Sequence, residues 1–240
     1  MNLEEIIYKR RSVRKYDDNP LAQETLDEIR EFIGDIPVLN PDINWSYEIV
    51  GPENVKTLMR WKAPHYLVIF SEPVQNYFQN IGFIFQQVDL FLQSKGIGTC
   101  WIGAGSPKNY ENPNPEHEFV ILLAFGNPSG ELYRNKDQFK RKDLSEISDK
   151  TDERLIPAQF APSAANSQTW YFKHNDDGSY DVYRNRRRLN LNNRMINWNK
   201  IDIGIALAHL YISNTDTFAS TLDKPHKELK GKVFEMSFVI

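Results

Sequence analysis

The sequence predicts an α+β protein in which one architecture occurs twice, and three observations carry that expectation. Two long segments with helical apolar spacing, residues 75–94 and 201–213, each follow short strand-like runs. Landmarks recur between the halves: Trp45 and Trp170 each lead a strand, Ile81-Gly82 and Ile203-Gly204 each open a helix, and Phe119 and Phe234 each enter a closing strand. Their offsets are 125, 122 and 115 residues, shrinking as a shorter second copy requires. Any two α+β halves offer such coincidences, so motif content has to decide.

Taken in order, residues 3–9 read as a helix, and residues 22–33 as a second one with Leu26, Ile29 and Ile33 on one stripe, Pro20 near its start and Gly34 at its end. Residues 45–50 and 66–70 read as strands, the second bounded by Pro64 and Pro73. The helix over 75–94 carries Tyr77, Ile81, Ile84, Val88 and Phe91 on one face, with Phe85 and Leu92 widening it as in a buried helix. Residues 99–102 and 119–125 follow as buried strands across an Asn/Pro-rich loop. The polar stretch 129–150 places a boundary near residue 150. Beyond it come a helix over 152–159, a hairpin of 170–173 and 180–183 turning at Asn175-Asp176-Asp177-Gly178, the 201–213 helix and a strand over 233–240.

Composition bounds the function. The chain has 240 residues, 40% hydrophobic and 25% charged, which excludes a disordered or fibrous chain. With 29 Lys+Arg against 32 Asp+Glu the formal net charge is -3, without the basic footprint of a dedicated nucleic-acid binder. One cysteine, Cys100, has no disulfide partner and sits in an apolar context that suits a packed thiol. No apolar leader occupies residues 1–15, and the longest apolar run, 119–125, is too short to span a bilayer, so the expected location is the cytoplasm. Trp101 stands where a dinucleotide GxGxxG would need its third glycine after Gly96 and Gly98, and the five histidines show no metal-ligand spacing.

Two segments carry chemistry. Arg10-Arg11-Ser12-Val13-Arg14 gathers fixed positive charge and a hydroxyl near helix ends, a combination suited to a phosphate monoester, although a solvated basic patch is the commoner origin of such a run. Residues 161–170, Ala-Pro-Ser-Ala-Ala-Asn-Ser-Gln-Thr-Trp, join small side chains to polar donors and acceptors that could face a flat heterocycle or form an ordinary connection.

Together they are more specific than either alone. The chain resembles the FMN-dependent nitroreductase family, whose RRSxR phosphate motif is similar to residues 10–14 and whose PSxxNxQPW loop is similar to residues 162–170, with Thr169 in place of the usual Pro. Residues 96–103 resemble the family's GLGTCWIGG segment, and Phe139 to Ile147 its late basic stretch. In ordinary members the two principal motifs lie close together in one copy. Here the first half (1–150) has the phosphate motif and the second, shorter half (151–240) has the loop.

That complementary loss implies a fused pseudo-dimer of the TM1586-type nitroreductases, a three-layer α/β/α fold duplicated within one chain, with one FMN site. The resemblance implies Arg10, Arg11, Ser12, Arg14 and Arg141 at the phosphate, Pro162, Ser163 and Asn166 at the isoalloxazine or ribityl chain, and Gly103 near the ring, where Ala104 and Gly105 depart from the family's Gly-Phe. It further implies NAD(P)H as co-substrate, a small organic acceptor such as a nitroaromatic or quinone, and no dedicated catalytic side chain, because the flavin carries the chemistry. The fused chain could be a monomer or dimerise further. Two other readings stand beside it: a non-catalytic flavin binder, and nucleic-acid contact through Arg184, Arg186, Arg187 and Arg188, which the acidic overall balance disfavours against a solvated loop or a rim that receives the pyridine nucleotide phosphate.

Overall fold

The computed structural model describes residues 2–109, 112, 114–186, 193–221 and 225–240. Its elements in chain order are α1 (Leu3–Ile7), α2 (Gln23–Gly34), β1 (Trp45–Val50), β2 (Val55–Thr57), β3 (His65–Ser71), α3 (Tyr77–Ser94), β4 (Gly98–Ile102), β5 (Gly105–Pro107) and β6 (Glu118–Gly126). Then come α4 (Leu144–Ile147), α5 (Ile156–Gln159), β7 (Trp170–His174), β8 (Tyr180–Asn185), α6 (Asn193–Ser213), β9 (Ala219–Thr221) and β10 (Lys232–Val239). The class is α+β, with all paired strands of the named sheets antiparallel.

Two compact units emerge: Met1–Tyr77 with Gln87–Gln138, and Phe78–Gln86 with Phe139–Ile240. They divide at Gln138, not near residue 150, and the physical reason lies in the polar stretch itself. Phe139 packs edge-on against Phe160 at 5.0 Å, and Lys142 hydrogen-bonds Gln168 through both its backbone N–H and its ammonium, so these residues are anchored to the second unit. Arg141 therefore belongs to the second unit. The 78–86 stretch of α3 also groups there.

In the first unit a sheet of order β1-β3-β6-β4 forms the core. All seven residues of β3 are buried, which explains its unbroken apolar sequence. Leu26, Ile29 and Ile33 of α2 bury the stripe their spacing predicts, and Phe32 stacks on Phe91 at 4.0 Å. A separate two-stranded sheet pairs β2 with β5.

In the second unit the sheet runs β7-β8-β10-β9. Helix α6 starts at Asn193, well before the expected Ile201, because its first turns are polar and give no apolar period. From Ile201 to Leu210 every residue is buried, as on a helix enclosed by the core on all sides.

The two main sheets share one topology. Numbered by chain order within each sheet, both read first-second-fourth-third, and a long helix, α3 or α6, joins the second strand to the third. Both carry a register irregularity in the pairing of their second and fourth strands, at Ile69/Phe70 and at Phe234/Met236. The agreement covers strand order, connectivity and register alike.

Candidate functional site

The cationic run lies along β4. Val13 donates its backbone N–H to the Thr99 carbonyl at 2.8 Å and buries its side chain where a Cβ on Gly98 would overlap its methyls. Residues flanking Val13 in an extended strip face the opposite way, which sets Ser12 and Arg14 together. Tyr16 fastens the turn by donating its hydroxyl to the Val13 carbonyl at 2.8 Å, and burial pushes that phenol far above its ordinary range.

The arginines of this run differ in environment. Arg10 is 1% exposed, and its Nε donates to Asp89 Oδ2 at 2.8 Å inside the unit. Thr99 Oγ1 also donates to Asp89, and Gln93 donates from Nε2 to both Asp89 (3.3 Å) and Thr99 (2.7 Å). A buried guanidinium is tolerable because this network satisfies its counterion. Arg10 also reaches Ser12 Oγ at 3.5 Å. Arg11 donates its backbone N–H to Gln93 Oε1 at 3.0 Å and pairs its guanidinium with Glu131 at 3.0 Å on the surface. Arg14 is exposed and makes no ion pair among the described residues. Its charge is available to a ligand.

Sequence reasoning missed one further cation here. Arg134 donates its backbone N–H to the Lys9 carbonyl and Nε to the Arg10 carbonyl, at 2.9 and 3.1 Å. Burial, with Arg10 and Arg11 beside it, brings its guanidinium down to about 10. Only its place in the polar 129–150 stretch hinted at it. Gly103 occupies the half-buried bend between β4 and β5, next to Ala104, whose carbonyl accepts the Leu58 N–H at 3.1 Å. Cys100 is a buried free thiol, and that burial pushes it up from its usual range.

In the second unit, the loop of residues 162–168 is held under local strain. Ala165, Asn166 and Gln168 all have positive φ, at 51, 53 and 44°, conformations that L-residues adopt at a cost of order 1 kcal/mol each. A dense set of bonds holds them there. Arg141 Nη1 donates to Asn166 Oδ1 at 2.6 Å and Nη2 to the Phe160 carbonyl at 3.1 Å. Asn166 Nδ2 donates to the Lys140 carbonyl, and Ser163 Oγ accepts the Gln168 N–H, both at 2.9 Å. Asp202, buried on α6, accepts the Ala164 N–H at 3.0 Å and an amide hydrogen of Asn199 at 3.1 Å. Pro162 is buried.

Thus Arg141, Ser163 and Asn166 come together in one unit, and their hydrogen bonds brace the loop. Asp202, which sequence reasoning missed, completes the brace with Lys142 and Gln168 of the two motif segments. Arg184, offered above for nucleic-acid contact, is instead ion-paired with the buried Glu235 at 2.7 Å, and Arg187 and Arg188 lie outside the described residues.

Residues 2–214 match the family model described as "Putative TM nitroreductase". The chain belongs to this nitroreductase family. A solved structure described as a putative nitroreductase from Thermotoga maritima superposes with a TM-score of 0.65 at 20% identity, covering 99% of this chain and 92% of that one. That likeness extends the nitroreductase fold over essentially the whole sequence. Weaker likenesses include a nitroreductase family protein from Clostridium difficile (TM-score 0.49, 18% identity, 61% of this chain and 96% of that one) and a nitroreductase with bound FMN from Desulfitobacterium hafniense (0.44, 16%, 60% and 100%). No curated protein matches the chain. No helix among the described residues is long and apolar enough to cross a membrane.

Proposed function

We propose that this nitroreductase-family protein is an FMN-dependent oxidoreductase that takes reducing equivalents from NAD(P)H and passes them to a small organic acceptor. The observation that carries this reading is the exposed guanidinium of Arg14, which makes no ion pair among the described residues and shares a face of the strip with Ser12, in a family member whose other flavin-type loop is held strained at Ala165, Asn166 and Gln168. These residues fit FMN on their chemistry: a phosphate monoester needs a charge-assisted donor and a hydroxyl, and a planar ring needs a rigid loop of small residues.

In this reading Ser12 and Arg14 hold the phosphate. Arg10 stays paired with Asp89 and fixes the strip that presents Ser12. Arg11 can exchange its exposed Glu131 partner for the phosphate at little cost, because surface ion pairs contribute roughly 0 to 1 kcal/mol. In the second unit Pro162, Ser163 and Asn166 shape a loop suited to a planar ring and Arg141 and Asp202 keep it rigid; in the first unit Gly103 has no side chain to bar a ring. FMN, when bound, supplies the two-electron transfer; the protein supplies position and electrostatics.

Purified protein, reconstituted with FMN, is expected to show flavin absorbance at one FMN per chain and to bleach on anaerobic mixing with NADH or NADPH. Failure to take up FMN would remove the flavin reading. Uptake without bleaching by either nucleotide would make the chain a non-catalytic flavin binder.

A further inference from the structure

The first unit contains a cavity of about 420 Å³ that none of the flavin-type motifs uses. It is lined by Lys56, Lys62 and Lys108 together with Val55, Met59 and Tyr66, and its size lies within the range of small-molecule sites. The three lysines come from three different segments: β2, the connection after it, and the residue following β5. None of them forms an ion pair among the described residues. Glu53, three positions before Lys56, turns its carboxylate back over Gly51 and lines a different cavity. In a chain of net charge -3, three exposed lysines that line one cavity and pair with no carboxylate among the described residues mark a place where an anion is favoured.

The rest of the lining narrows the ligand. Val55 and Tyr66 are buried, and Tyr66 accepts the Ala63 N–H on its hydroxyl at 3.0 Å, so one wall is rigid and apolar. On the connection between β2 and β3, Leu58 is 79% exposed and Met59 also stands in solvent, although large apolar side chains gain by being covered. A ligand with a charged group on a flat, partly apolar body fits both features. The same connection is tied to the Gly103 bend, because β2 pairs with β5 and Leu58 donates its N–H to the Ala104 carbonyl. A molecule seated here is thus next to the segment assigned to the flavin ring.

We propose that this cavity binds the phosphate-monoester end of the reductant, the adenosine 2′-phosphate of NADPH, and so makes the protein select NADPH over NADH; the inference rests on the flavin oxidoreductase reading. A 2′-phosphate is close to a dianion at neutral pH, and lysine ammonium groups serve it as mobile point charges. NADH offers no such group.

Titration calorimetry on the full-length protein tests this without any turnover, using 2′,5′-ADP, 5′-AMP and inorganic phosphate as probes. The parent is expected to bind 2′,5′-ADP more tightly than 5′-AMP. The K56Q/K62Q/K108Q variant should weaken 2′,5′-ADP by roughly tenfold or more, with a reduced salt dependence, while flavin content stays at the parent level. In turnover, KM for NADPH should rise and KM for NADH should not. No binding of 2′,5′-ADP, or equal binding by the parent and the variant, overturns the proposal. Inorganic phosphate binding as tightly as 2′,5′-ADP also overturns it, because the site would then take a free phosphate. Absence of flavin from the parent would sink the oxidoreductase reading, while calorimetry would still decide what the cavity binds.

Discussion

Gly82 of α3 and Gly204 of α6 pack on each other reciprocally: a Cβ on Gly82 would overlap the carbonyl oxygen of Ile201, and a Cβ on Gly204 would overlap that of Gln79. Each glycine thus faces the carbonyl of the residue three positions before the other. Such a reciprocal exchange is also what isologous dimer interfaces contain. Here the two contributors are segments of one chain and of one compact unit. The Ile-Gly landmark that suggested a repeat is therefore a point of backbone contact, where any side chain would push two helices apart.

Gly82→Ala and Gly204→Ala should each destabilise the protein by about 1 to 3 kcal/mol, because the obstructing atoms are backbone and cannot turn aside. The double variant should cost less than the two singles together, since the first substitution already separates the pair. Urea midpoints of the three variants check this. Additive losses would mean that the two contacts are independent.

Arg14→Ala should weaken FMN binding by about 1 to 3 kcal/mol through loss of a charge-assisted hydrogen bond, with little change in the unfolding midpoint because the side chain is exposed. Flavin fluorescence quenching gives the dissociation constant. An unchanged value would take Arg14 out of the site.

Asp89→Asn should be far more damaging to stability. It leaves the Arg10 guanidinium buried without its carboxylate, at a cost of about 3 to 5 kcal/mol. The paired variant Arg10→Met with Asp89→Leu should recover most of that loss, because it removes both charges. Thermal unfolding of the two variants separates a charge-pairing role for Asp89 from a purely steric one.

The contrast between these arginines shows what sequence reasoning could reach. The buried strands β3 and β6 announced themselves as apolar runs and extend the expected runs only at their ends, while β1, which has no buried residue, was expected at residues 45–50 and is found there. Helix α3 was visible because its core face repeats with helical period. The same helix hid Asp89, a carboxylate on an apolar segment whose partner lies 79 positions away, a separation that periodicity cannot register. Positive φ at Ala165, Asn166 and Gln168 was equally invisible, since none is a glycine and the strain is imposed by Arg141, Lys142 and Asp202 from elsewhere in the chain. Strands β2, β5 and β9, of three residues each, were too short to show alternation. The cavity behind β2 was hidden with them.

Acid should weaken the second unit through Asp152. Burial alone would raise its carboxyl, but hydrogen bonds from Arg154 (2.8 Å), Tyr180 (2.5 Å) and the His174 ring (3.1 Å) outweigh that and hold it well below the usual carboxylate range. Its pKa in the folded state thus lies below that of the unfolded chain, so the unfolded chain takes up the proton first as pH falls. The stabilisation is complete above the ordinary value of 3.8 and is lost progressively below it. Asp149, lowered in the same direction through its hydrogen bonds from His174, adds to this slope. Asp152→Asn should therefore lower the midpoint at pH 7 while making the decline below pH 3.8 shallower than in the parent. Urea unfolding across that range measures both. Parallel acid limbs in the two proteins would show that Asp152 titrates alike in the folded and unfolded states.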